Sequence, residues 1–162
     1  MNRLMELILK NKSEAKYTIL ISIDIKVAFN SLWWPSILQT LSKDGCPTEL
    51  INTITDYLDN RNIEFNYGNA TIKHQIQKGC PQGSCLGQFL WSVIANKILN
   101  QAWDHATNLQ AFADDFILTI TSDNRKDMEK KAEQALQKFM NWAINAKLQI
   151  SEQKTQASKG NQ

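Results

Sequence analysis

Cysteine, proline and glycine are all sparse in this sequence, and neither sign of charge dominates it. The three cysteines, Cys46, Cys80 and Cys85, are odd in number and form no C-x-x-C pair. That argues against a disulfide framework or a structural zinc site and for a reducing, intracellular location. With 18 basic and 16 acidic residues the net charge is +2, and no run of Lys or Arg forms a basic arm. Such a balance permits nucleic-acid binding without arguing for it. No segment reaches the roughly 18 uninterrupted apolar residues that a spanning helix needs. Residues 1–12 are apolar only in short patches, with Arg3 and Glu6 among them, unlike a signal peptide. There is no internal repeat, and low complexity is confined to a polar tail at 158–162. The expectation is a soluble intracellular protein with no membrane partner, nucleus and cytoplasm both remaining open.

What is present suits one folded domain. A chain of 162 residues, 43% apolar and 21% charged, can bury a real core. Leu4, Leu7 and Ile8 predict a short first helix over 4–11. The β-branched run at 17–23 (YTILISI) predicts a buried strand that stops at Asp24. Trp34-Pro35 opens a helix that Gly45 breaks, and a second helix follows Pro47 with Leu50, Ile51, Ile54, Tyr57 and Leu58 on one face. Alternation at Ile63, Phe65 and Tyr67, a Gly68-Asn69 turn, and Ile72, His74 and Ile76 predict a hairpin with one face packed. A Gly/Pro-rich loop, 78–87 (KGCPQGSCLG), leads into an apolar helix over 86–103. Residues 109–121 (LQAFADDFILTIT) predict a second hairpin with an Asp pair at its centre. An amphipathic helix spans 126–146, and 148–150 with Lys154 form a short strand or turn. Helices mixed with antiparallel hairpins give an α+β fold, with helices on one face of a sheet.

Three carboxylates stand against apolar strands: Asp24, Asp114 and Asp115. If the two strands are neighbours, the three converge, and carboxylates so gathered repel one another. A hard divalent cation such as Mg²⁺ relieves that repulsion. Taken alone, Asp114-Asp115 reads first as a pair of turn residues, and Asp24 as a polar strand end. The loop Gly79-Cys80-Pro81-Gln82-Gly83-Ser84 has a backbone fixed tightly enough to approach a flat ligand. It reads equally as a helix start capped by Ser84.

In combination these segments resemble a family. SIDIKVAFNSLWWP at 22–35 resembles the first polymerase motif of reverse transcriptases from LINE-like retrotransposons that lack long terminal repeats, with the Trp-Trp-Pro run of the arthropod type. GCPQGSCLG resembles the second motif and AFADDFIL the third. Trp142, Ala146-Lys147-Leu148-Gln149-Ile150 and Lys154-Thr155 resemble the fourth. Tyr57-Leu58 through Arg61 is similar to the segment between the first two. The four occur in family order and cover nearly all of residues 15–156.

The resemblance implies a polymerase palm with a partial reverse transcriptase domain at 1–157, little of the fingers, no thumb, and the polar tail beyond. It implies two Mg²⁺ ions, with Mn²⁺ as a substitute, held by Asp24, Asp114, Asp115 and the carbonyl of Ile25. It makes Phe29 the steric gate against ribonucleotides, and Gln82 and Gly83 the lining of the nucleotide pocket. Lys154 would sit near the triphosphate. The implied partners are an RNA template, a DNA primer, dNTPs, and the fingers and thumb of a longer polyprotein. Without the motif, Phe29 reads as a core aromatic and Lys154 as a solvated side chain. The five tryptophans, His74, Cys80 and Cys85 read as structural.

The sequence departs from the family pattern at Asn30, where Asp is usual, at Gln88, where Pro is usual, and at Lys26-Val27, where smaller residues stand. None removes a carboxylate. Two readings compete with an RNA-directed DNA polymerase. One is a catalytically silent fragment that binds nucleic acid or a partner chain. The other is a viral replicase palm, which Phe29 and Ala113 disfavour.

Overall fold

The computed structural model describes residues 16–81 and 83–160. The helix expected over 4–11 lies outside the described residues, as does Gln82. The chain divides into two compact units. One runs to Lys26 and resumes at Ile98, and the other is Val27–Lys97.

The first unit is an antiparallel sheet of four strands in the order β4-β5-β1-β6. These are β1 (Tyr17–Asp24), β4 (Thr107–Phe112), β5 (Asp115–Ser122) and β6 (Gln156–Gly160). The pairing of β1 with β5 sets Ile19, Ile21 and Ile23 opposite Ile120, Leu118 and Phe116. Side chains alternate across a strand, so these six share one face, and all six are buried. Helix α5 (Arg125–Asn145) packs against β1 and β5. Its buried stripe is Met128, Ala132, Ala135, Phe139, Trp142 and Ala143, the spacing that an amphipathic helix requires. Phe116, Phe139 and Trp142 meet edge-on, with ring centroids 5.1, 5.1 and 5.6 Å apart. Burial of each large apolar side chain contributes about 1.5–3 kcal/mol, so this face is where the unit gains its stability.

The opposite parity of the same strands carries Thr18, Leu20, Ser22 and Asp24, facing Thr121, Thr119, Ile117 and Asp115. The hydroxyls of Thr18 and Thr119 are buried there without a hydrogen-bond partner. The alternation therefore sends the core to one face and the carboxylates to the other.

The second unit holds a one-turn helix α1 (Ala28–Ser31), α2 (Trp34–Lys43), α3 (Thr48–Leu58), a hairpin of β2 (Asn62–Tyr67) and β3 (Ala70–Gln75), and most of α4 (Cys85–Leu99). Pro35 in the first turn starts α2. Gly45 at φ +76° ends it with a left-handed cap. Helix α4 buries Leu90, Trp91, Ile94 and Ala95 and leaves a polar stripe of Gln88, Ser92 and Asn96 exposed.

Three sequence expectations need correcting. The β2–β3 hairpin, expected to pack one face, is exposed along every residue of both strands. Helix α4 stops at Leu99 rather than 103, because the Trp103 indole N–H donates to the Ile98 carbonyl (3.2 Å) and caps it. Residues 158–160, expected as polar tail, continue β6 and pair with Leu20 to Thr18 of β1. No helix among the described residues is long and apolar enough to cross a membrane.

Candidate functional site

Strand β1 delivers Asp24 to its C-terminal end directly opposite Asp115, the first residue of β5. Facing residues of an antiparallel pair have Cβ atoms about 5 Å apart, so the two carboxylates start from adjacent positions on one face. The β4–β5 connection is two residues long, Ala113-Asp114. Ala113 takes a positive φ of 56° while Asp114 does not, the φ signature of a type II′ hairpin turn. Asp114 therefore sits in the turn and Asp115 in the strand, although the sequence pattern had put both in the turn. Asp24 is buried, Asp114 half-buried and Asp115 exposed.

A second segment closes on the end of β1. Ile25 bridges Ile150 in antiparallel fashion. The two bonds that make the bridge, Lys26 N–H to Gln149 carbonyl (2.7 Å) and Ser151 N–H to Asp24 carbonyl (2.9 Å), use the main chain of its neighbours. The Ser151 carbonyl then accepts from the N–H groups of Lys154 and Thr155 and from the Thr155 hydroxyl. This turn holds Lys154 so that its Nζ lies 3.4 Å from Asp24 Oδ1. The lysine side chain is 71% exposed against 12% for the aspartate, so the pair is weak and screened by solvent.

Among the described residues, no three His, Cys, Asp or Glu side chains converge as a metal cage. Mg²⁺ is not usually held by an all-protein cage, since it keeps several waters and takes one or two carboxylates plus substrate phosphates. The donors here are oxygens, two of them facing one another across β1 and β5. That set fits a hard divalent ion.

In the second unit, the loop at 78–81 is clamped onto α1. Gly79 N–H donates to the Leu32 carbonyl (2.7 Å), and Cys80 N–H to the Phe29 carbonyl (3.0 Å). The Trp34 indole donates to the Gly79 carbonyl (2.8 Å). Gly79 has φ +86°, and a Cβ there would lie 2.9 Å from the Asn30 carbonyl oxygen. Only glycine meets both demands. Ser84 caps α4, its hydroxyl accepting from Gly87 N–H (3.0 Å) and donating to the Pro81 carbonyl (2.9 Å). Burial raises the Cys80 thiol pKa, partly offset by the Arg61 charge. Gly83 is exposed at φ +81° with open space around its Cα. Phe29 is half-buried, its ring 6.2 Å from that of Trp91.

The structure thus brings Asp24, Ile25, Asp115 and Lys154 together at one end of the sheet, with Asp114 in the adjoining turn. Phe29 and Gly83 belong to the other unit, and Gln82 lies outside the described residues. The sequence missed Ser151 and Gln149, whose contributions are main-chain bonds that no side-chain pattern reports.

The model of the family described as reverse transcriptase (RNA-dependent DNA polymerase) matches residues 2–161. The chain belongs to the reverse transcriptase family. Its relatives are reverse transcriptases of arthropod retrotransposons that lack long terminal repeats, the type its motifs resemble. It is 29% identical over 143 residues to the Pol polyprotein of the type-1 retrotransposable element R1 of Bradysia coprophila, covering 88% of this chain and 14% of that one. Identity is 24% over 160 residues to the RNA-directed DNA polymerase of the mobile element jockey of Drosophila melanogaster, covering 95% and 17%. The chain therefore spans about a sixth or less of these relatives' length.

Among solved structures it is similar to telomerase from Candida tropicalis, truncated from the C-terminal domain, with a TM-score of 0.72 at 16% identity over 100% of this chain and 36% of that one. The same telomerase in complex with a telomeric RNA fragment gives 0.76 at 14%, over 99% and 30%. At such identities the likeness establishes the fold, which is that of a polymerase palm.

Proposed function

We propose that the chain is the palm of an RNA-directed DNA polymerase, which adds dNTPs to a primer 3′-hydroxyl along an RNA template. The observation that carries this reading is the facing of Asp24 and Asp115 across β1 and β5, with Asp114 in the two-residue turn beside them. Asp24, Asp114, Asp115 and the Ile25 carbonyl would hold two Mg²⁺ ions, or Mn²⁺ in their place. Bound there, the pair would supply charge stabilisation to the attacking and leaving oxygens of an in-line phosphoryl displacement.

The chain's own groups orient the reactants. The main chain of Asp24 is held by β1 pairing on one side and the Ser151 bond on the other, which fixes the strand end from which its carboxylate projects. The Lys154 ammonium, exposed and only loosely paired with Asp24, is free to turn toward an incoming triphosphate. Phe29 would present its ring to the sugar and exclude a 2′-hydroxyl. Gly83, with no Cβ and a positive φ, lets main chain approach the nucleotide closely, beside Gln82.

Primer extension on an RNA template with dNTPs tests the proposal. Extension that requires Mg²⁺ and stops on chelation is the expected result. A folded chain that extends nothing with either metal contradicts it and leaves a fragment that binds nucleic acid or a partner chain.

A further inference from the structure

The β2–β3 hairpin is amphipathic, yet nothing among the described residues of its unit buries its apolar face. Register and alternation place Ile63, Phe65 and Tyr67 on one face, opposite His74, Ile72 and Ala70. Ile63, Phe65, Tyr67 and Ile72 are between 56% and 76% exposed. The other face is polar and paired with itself: Lys73 meets Glu64 at 2.6 Å, and the Thr71 hydroxyl donates to Asn66 at 2.8 Å. An isolated two-stranded ribbon is marginal in water, and a contiguous exposed apolar face marks an interaction surface.

The same face runs into a cleft of about 900 Å³ at the base of the hairpin, which Ile63 and His74 help to line. Arg61 and Lys78 are the charged side chains of that cleft, Trp33 is its aromatic, and carboxamides such as Asn62 and Gln75 supply most of its remaining polar groups. Among the described residues no carboxylate lines it. The Arg61 guanidinium is braced over the Tyr57 ring at 4.8 Å, and its carbonyl accepts from Ile76 N–H (3.0 Å), which closes the hairpin base.

We infer that this ribbon and cleft form a binding track for a single-stranded nucleic acid. Bases would stack on Phe65 and Tyr67, with Ile63 and Ile72 as apolar flanks, and phosphates would lie at Arg61, Lys78 and His74. Aromatic platforms beside a cationic groove are the combination that holds single strands without reading their sequence. Charge decides between this partner and a second copy of the chain. A copy docked on the same continuous surface would set Arg61 and Lys78 against their own kind, whereas a phosphate backbone complements them. The inference rests on the polymerase reading only in calling the strand a template.

Fluorescence anisotropy of a labelled oligouridylate, and of the matching oligothymidylate, on the full chain tests it. Phe65→Ser and Tyr67→Ser should each weaken both probes by on the order of tenfold. Both side chains are exposed, so the circular dichroism spectrum should not change. Lys78→Gln should weaken binding by several-fold and lower the slope of log affinity against log salt by about 0.7. Affinity indifferent to all three substitutions overturns the inference, even in a chain that extends primers. A dimer that Tyr67→Ser dissolves without touching oligonucleotide affinity overturns it as well. Binding that responds as expected in a chain that extends nothing supports the track and counts against the polymerase reading alone.

Discussion

At the scale of single residues, parity along a strand separates structure from chemistry. Ile23 and Asp24 are neighbours in sequence, yet one joins the core beneath α5 and the other faces Asp115. The sequence made this legible, because a β-branched run that ends in a lone carboxylate can place it only at a strand end. It could not report that Ser151 and Gln149 pin that end, since those bonds are main-chain. Phe29 belongs to this scale too. If its ring is the sugar gate, Phe29→Ala should narrow the preference for dNTPs over rNTPs by about tenfold or more, measured by single-nucleotide incorporation. Unchanged discrimination in an active variant removes Phe29 from that role. Cysteine reactivity gives an independent check on the loop. Burial raises the Cys80 thiol pKa, while Cys85, at the start of α4, is exposed. Iodoacetamide near neutral pH should modify Cys85 at least about tenfold faster than Cys80, as read by peptide mass spectrometry.

At the scale of elements, α5 shows how start signals and packing combine. Asn124 caps it by accepting from the Asp127 N–H at 2.8 Å. The Asp127 carboxylate is bound by Lys131 at 2.7 Å and by the Ser122 hydroxyl at 2.6 Å. Hydrogen bonds from Lys131 and then Ser122 hold the Asp127 pKa below its usual 3.8. A depressed carboxylate pKa contributes stability that is present above the unfolded value and is lost as pH falls through the folded one. The stability difference between the native chain and Asp127→Asn should therefore shrink as pH drops below about 4, followed by urea titration at each pH. Deeper in the helix, Phe139 is fully buried against Phe116 and Trp142. Phe139→Ala should cost about 3–5 kcal/mol in the same measurement. The period of 3.6 made α5 legible to within one residue at each end. The β2–β3 alternation was equally legible, but burial was not. An alternating pattern fixes two faces of a ribbon without naming what covers either.

At the scale of the whole molecule, four sequence segments in family order gave the palm its fold class, and the antiparallel sheet with α5 on one face agrees with it. What the sequence left out is the division into two units at Lys26/Val27 and Lys97/Ile98. Those boundaries fall in a turn and inside α4, where no proline, glycine or polar linker marks them. The first boundary coincides with a β-branched residue, Val27, held at φ +46°. Such a conformation is disfavoured for a branched side chain and tends to collect near functional sites. The two units carry different parts of the proposed chemistry: carboxylates and Lys154 in one, Phe29 and the glycine loop in the other.

The central claim, that nucleotide transfer occurs at the end of β1, is tested most directly by primer extension on RNA with Mg²⁺ and dNTPs. The native chain is compared with Asp24→Asn and Asp114→Asn, with thermal unfolding run on the same preparations. The account predicts that extension falls about a hundredfold or more in each variant. The unfolding midpoint should hold or rise, because a charge has left a repelling group. Extension that survives both substitutions, or variants that unfold in the absence of metal, would contradict it.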